Sequence, residues 1–299
     1  MAATAEPVVR PAAKSRFWRA PLLESLPLRL SVLFICLLWT LPTAGLLITS
    51  FRNPQLITKT GWWDALFNAF APNQWTFQNY QNVLGGENMF AAFLNSLIVT
   101  IPSTVIPITI AAFAAYAFAW IPFKGRGILF TIVVALLVVP LQMTLIPILK
   151  IYSGADLYGT FVGIWLAHTA FGLPLAIFLL YNFMSQLPRD LFESSAIDGA
   201  TAFQTFIQIV LPLSIPALGA FAIFQFLWVW NDLLVALVFL GPGKDLQVMP
   251  TALFNMIGPR GGAWHLLTAG AFLTMVVPLG VFLALQRAFV RGILAGSVK

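Results

Sequence analysis

The chain has 299 residues, 60% of them apolar and only 9% charged, with a mean hydropathy of +0.89. An average soluble domain carries roughly a quarter charged residues, so this chain lacks the polar surface to cover itself in water, and a bilayer is its natural solvent. The net charge of +6 does not point to nucleic acid, because the basic residues cluster beside apolar runs, and the single cysteine, Cys36, excludes both an internal disulfide and a cysteine-based metal site.

Residues 1–27, rich in Ala, Pro and basic residues, read as a flexible N-terminal tail in which Phe17 to Leu26 suits the membrane interface. No cleavable signal peptide is expected, since the apolar run that follows is too long for an h-region. A helix needs about 20 apolar residues to cross roughly 30 Å of hydrocarbon. Six runs meet that length: Leu28 to Ser50, Phe90 to Ile121, Gly127 to Lys150, Thr160 to Phe183, Leu213 to Leu240, and Leu266 to Phe289. The second run is overlong and holds Pro102 and Pro107, so a tilted or kinked helix is expected there. Between the first two runs, Trp62, Trp63 and Trp75 suit an interface or a docking surface, as does Trp264 ahead of the last run.

Orientation follows from the Lys and Arg residues. With a cytoplasmic N-terminus, eleven of them fall on the inner side and five on the outer, which puts both termini inside. The chain is then an all-α, multi-pass membrane protein of six helices spanning residues 28–289, with residues 290–299 as a cytoplasmic C-terminal tail.

The longest inner loop, residues 186–212, reads as two short helices with a break. Pro188 suits a first helical turn, and Asp190 and Glu193 favour the positive end of a helix dipole. Gly199 interrupts the helix; Ala202, Phe203, Phe206, Ile207 and Val210 resume a helical spacing, and Pro212 ends the segment. Two exposed phenylalanines on such a pair, projecting from a membrane domain, suit insertion into a partner's groove.

This segment resembles the signature of binding-protein-dependent ABC importer permeases, E-A-A, three residues, G, nine residues, I-x-L-P. Glu193, Gly199, Ile209, Leu211 and Pro212 match in place, Ser194 and Ser195 replace the two alanines, and Asp198-Gly199-Ala200 matches the usual continuation. Asn95-Ser96-Leu97, Tyr116-Ala117, Phe123 to Arg126, Pro174, Trp230-Asn231-Asp232 and the tail from Arg291 to Lys299 are similar to the carbohydrate branch of maltose, alpha-glucoside and glucosylglycerol type, in the form lacking a large periplasmic insertion. The resemblance implies a type I importer fold with cytoplasmic coupling helices. It also implies a heterodimer with a second permease, a dimer of ATPase subunits below and an extracytoplasmic solute-binding protein above. Residues 193–212 would then couple to the ATPase, with Phe203 and Phe206 among them, and Gly292, Gly296 and Lys299 would reach between the ATPase subunits. ATP and Mg would be bound by the partner, and this chain would bind neither cofactor nor metal.

The residues themselves carry one further signal. Asp232 is the lone carboxylate inside the proposed spans, where insertion costs about 2.5 to 3.5 kcal/mol. Such a cost marks either a solute pathway shared with Asn231 or a bond to a neighbouring helix, and both readings stay open. His168 and Gln225 fit satisfied bundle-core residues better than ligand contacts. No phosphate loop is present: the nearest, Gly241 to Asp245, lacks the upstream glycine and has Asp where Ser or Thr must hold magnesium. A secondary carrier would show inverted repeats and several intramembrane charges, and an intramembrane hydrolase would need paired catalytic groups within spans. Neither pattern is visible.

Overall fold

A computed structural model describes residues 26–86, 88–257 and 263–295. The N-terminal tail through residue 25 and the tail residues Gly296 and Lys299 lie outside them. In chain order the helices are α1 (Leu26–Ser50), α2 (Pro54–Ile57), α3 (Asp64–Phe67), α4 (Gln78–Gly86), α5 (Met89–Trp120), α6 (Arg126–Leu136) and α7 (Leu141–Gly154). After these come α8 (Phe161–Met184), α9 (Arg189–Ile197), α10 (Ala202–Thr205), α11 (Leu211–Trp230), α12 (Leu234–Phe239), α13 (Met249–Ile257) and α14 (Trp264–Ala295). Among the described residues, five helices, or helix runs, are long and apolar enough to cross a membrane, and the bent pair α6–α7 supplies a sixth when taken as one span.

The core lies where α5, α8 and α11 meet. Small residues let these helices approach: Ala111, Ala112 and Ala115 of α5 and Ala176 of α8 are buried together with Leu180, Phe206 and Phe221. By contrast α1 is exposed along almost its whole length and carries Cys36 on its surface.

Three spans depart from the straight crossings expected. The run Gly127 to Lys150 is two helices bent by 102°. Pro140 stands between them as the N-cap of α7, and a proline both lacks the N–H and disfavours helix for the residue before it. The run Leu213 to Leu240 breaks at Asn231, so Asp232 lies in the gap between α11 and α12 rather than inside a helix. The last helix continues past Phe289 to Ala295, so Gly292, expected in the C-terminal tail, has helical backbone.

Prolines inside spans leave carbonyls four residues earlier without their helical N–H. In a bilayer such a carbonyl has no water to turn to. Side chains from neighbouring helices supply the missing donor at three of these positions. Pro102 frees the Ile98 carbonyl, which accepts from Trp165 Nε1 of α8 at 2.9 Å. Pro107 frees Ser103, whose carbonyl accepts from Gln225 Nε2 of α11 at 3.0 Å. Pro278 frees Thr274, which accepts from Trp230 Nε1 at 3.1 Å. The overlong α5 therefore stays one helix through both prolines.

Candidate functional site

The segment matching the permease signature forms a tight helical hairpin at one end of the bundle. Helix α9 stops because Gly199 takes a left-handed conformation, φ +74°, which side-chain-bearing residues seldom adopt. Nothing lies within 4 Å of where a Cβ would sit, so conformation rather than space calls for glycine. Thr201 restarts the chain through a capping box: its hydroxyl accepts from Gln204 N, and Gln204 Oε1 accepts from Thr201 N at 2.8 Å.

From Ala202 the helix runs without interruption through a π-turn at Phe206–Val210 into α11. Pro212 therefore does not end the segment. Leu211 N donates back five residues to the Phe206 carbonyl, and Pro212, which has no N–H to give, follows where the π-turn passes into α11.

The exposed face of the hairpin differs from the expected one. Phe203 is exposed, but Phe206 is only 2% exposed and packs on Tyr116 and Phe113 of α5. A π-turn shifts the helical phase, which the regular spacing did not reveal. Ile197, at 86% exposure, stands beside Phe203 as the most exposed apolar side chain of the segment. Glu193, Ser194, Asp198 and Gly199 are exposed; Ala200, Ile209 and Leu211 are partly buried; Pro212 is exposed. Glu193 makes no ion pair among the described residues.

Ser195 proves more than a small residue in an alanine position. It is buried, and its hydroxyl meets that of Thr205 across the Gly199 break at 3.1 Å. Ser194 donates to its own helix at the Asp190 carbonyl.

At the gap between α11 and α12, Asn231 and Asp232 point to different places. Asp232 Oδ1 accepts from Val235 N at 3.1 Å, capping the start of α12, and Oδ2 lies 3.9 Å from Nδ1 of the buried His168 on α8. These groups line a void of about 10 Å³ with Ser96, Thr100 and Trp230. Asn231 instead donates to Leu227 O and lines an open pocket of about 320 Å³ with Trp230, Phe254, Leu267 and Thr274. A larger groove of about 670 Å³ opens at the α6–α7 bend, where Thr144, Gln225 and Trp228 are polar-capable lining among apolar neighbours. Gln225 is a satisfied core residue: Gly172 makes room for it, since a Cβ there would stand 2.6 Å from Gln225 Oε1. Among the described residues, no group of three or more His, Cys, Asp or Glu side chains could hold a metal ion.

Five apolar spans among the described residues, six with the bent α6–α7 pair, and an exposed helical hairpin at one end define a multi-pass membrane protein. The family of binding-protein-dependent transport system inner membrane components matches residues 107–295, well over half of the chain. The osmoprotective compounds uptake permease protein GgtD of Synechocystis is 54% identical over 96% of this chain and 94% of its own length. The alpha-glucoside transport system permease protein AglG of Rhizobium meliloti is 46% identical over 90% of this chain and 96% of its own. In fold, the chain is similar to a subunit of a bacterial ABC transporter involved in the import of the acidic polysaccharide alginate. That likeness has a TM-score of 0.72 at 19% identity and covers 92% of this chain and 99% of the other. A second alginate transporter structure, in complex with a pentasaccharide-bound periplasmic protein, matches with a TM-score of 0.63 at 17% identity over 90% and 95%.

This chain belongs to the binding-protein-dependent transport system inner membrane components. It is a multi-pass permease of an ABC transporter rather than an enzyme, and ATP hydrolysis belongs to a separate subunit.

Proposed function

We infer that this permease forms half of an import pathway for a small, hydroxyl-rich, sugar-like solute, pairing with a second, homologous permease. In this reading a dimer of ATPase subunits binds ATP and Mg, this chain binds neither, and an extracytoplasmic solute-binding protein delivers the solute. The α9 end, with both termini, faces the cytoplasm. The relatives named for osmoprotective compounds and alpha-glucosides, at 54% and 46% identity, support the solute class.

The observation that carries the coupling role is the hairpin itself. It presents Ile197 and Phe203 to solvent beside the exposed Glu193 carboxylate, which has no ion pair among the described residues. Exposed apolar residues beside a free charge, on a protruding element of a membrane protein, are the makings of a docking site. Glu193, Ser194, Asp198, Gly199, Ala200 and Phe203 form the face offered to the ATPase. Ser195, Phe206, Ile209, Leu211 and Pro212 hold that face on the bundle. The helical end of α14 carries Gly292 toward the same partner, with Gly296 and Lys299 beyond the described residues. In the path, Asn231 is assigned to the solute, and Asp232 to the bond that holds the gap open.

The test is solute-stimulated ATP hydrolysis and uptake by the complete transporter in proteoliposomes, assayed with trehalose, sucrose and maltose as probes. Gly199→Pro cannot adopt φ +74°, and Glu193→Lys reverses the free charge. Both are expected to abolish solute-stimulated hydrolysis while the protein stays in the membrane at normal amount. Normal stimulation in both variants would remove the hairpin from the ATPase interface. Uptake of none of the three sugars by the unaltered complex would remove the solute class.

A further inference from the structure

We propose that α5 is the transmission rod of this permease, clamped at one end to the hairpin and at the other to the loop that follows α12. This rests on the coupling role assigned to the hairpin above. At the hairpin end, Tyr116 and Trp120 stand four residues apart on one face of α5. Tyr116 Oη donates to the Ala202 carbonyl at 3.0 Å, and its ring packs on Phe206. Trp120 stacks on Phe192 with ring centroids 3.6 Å apart and donates from Nε1 to the Met184 carbonyl at 2.8 Å. One helix face therefore holds both halves of the hairpin, on either side of Gly199. That joint has open space around it and would absorb a push by bending if only one half were held.

At the far end, Asn95 Nδ2 donates to the carbonyls of Asp245 and Gln247 at 2.8 and 3.0 Å. Ser96 Oγ accepts from Met249 N at 2.8 Å. These bonds tie α5 to the loop leading into α13. Helix α5 is 32 residues long in all, about 48 Å at 1.5 Å per residue. A rod of that length with two internal prolines would flex at each. Trp165 and Gln225 occupy the two carbonyls that the prolines free, which keeps the joints closed. Tyr116, Trp120, Trp165, Gln225 and Asn95 are thus positioning residues. Their part is to carry displacement from one end of the bundle to the other.

The experiment uses the complete transporter in a Cys36→Ser background, with spin labels at Lys59→Cys and Lys244→Cys, both exposed at the far end. The distance between the labels is measured without nucleotide and with Mg-ATP, and the ATPase rate is recorded alongside. The expected result is a Mg-ATP-dependent distance change that Trp120→Leu and Gln225→Leu each reduce about threefold or more, with Trp120→Phe restoring it because it keeps a stack. Asn95→Asp, nearly isosteric but without the donor, is expected to reduce the change while the ATPase rate stays near normal. The proposal is overturned if the unaltered transporter shows no change on Mg-ATP, or if the Leu and Asp variants keep it in full. Gly199→Pro separates the two readings. If it abolishes the distance change and the α5 variants do not, the hairpin couples without the rod; if it changes nothing, the coupling role itself fails.

Discussion

The two ends of the molecule are built by different means. The hairpin at the α9 end is held by aromatic stacking, one tyrosine hydroxyl and a serine–threonine pair, and its exposed face is a thin strip around Ile197 and Phe203. The opposite end is a cap, residues 51–86, folded around a buried guanidinium. Arg52 donates to the carbonyls of Thr60 and Gly61 at 3.0 and 2.9 Å and pairs with Asp64 at 3.8 Å, while Asn79 Nδ2 donates to the carbonyls of Ser50 and Arg52. Burial pushes the Arg52 pKa down and Asp64 opposes it. Outside this polar centre the cap shows Trp63, Phe67, Phe70 and Phe77 to its surroundings. Aromatic packing around an unhindered glycine joint suits an element that is moved. A buried charge with several carbonyl partners suits one that keeps its shape, because each partner left alone is costly.

That contrast can be broken from the cap first. Arg52→Met strands two carbonyls and should destabilise the cap by about 3 kcal/mol. The expected reading is less intact complex recovered from membranes with unchanged ATPase stimulation per complex; lost stimulation per complex would erase the distinction between the ends. Next in size is Asp232→Leu, which removes the cap on Val235 N and should cost about 1 to 2 kcal/mol. Asp232→Asn keeps an acceptor and should cost much less. Complex yield from membranes measures the difference, and uptake per complex should stay near normal in both. Severe loss of uptake per complex in the leucine variant would put Asp232 on the solute path beside Asn231.

At the hairpin the expected effects on stability are smaller. Gly199→Ala forces a side chain into a left-handed conformation at a cost of about 1 kcal/mol, visible as a slightly lower ratio of uptake to ATP hydrolysed. Smaller still, Ser195→Ala removes the bond to Thr205 and should cost about 0.5 to 1 kcal/mol. Limited proteolysis around Gly199 would register it as faster cleavage. Equal or greater loss from Ser195→Ala than from Gly199→Pro would mean that the hydroxyl pair, rather than the backbone turn, sets the hairpin's shape.

Composition and period carried much of this molecule. Apolar runs of spanning length mark the candidate crossings as helices, because within a bilayer a helix satisfies its own backbone. The hairpin break was legible at Gly199, since a glycine between two helical patterns signals a left-handed turn. Other features depended on what lies far off in the chain. The π-turn that buries Phe206 answers to Tyr116 and Phe113, and no local spacing encodes them. Pro102, Pro107 and Pro278 were visible as interruptions, but the donors that meet the carbonyls they free, from Trp165, Gln225 and Trp230, arrive from other helices. Adjacent in sequence, Asn231 and Asp232 read as one polar pair. A helix break turns one side chain into an open pocket and the other toward His168. Periodicity reports which way a regular helix faces; where the helix is irregular, only the neighbours that supply the missing hydrogen bonds determine the direction.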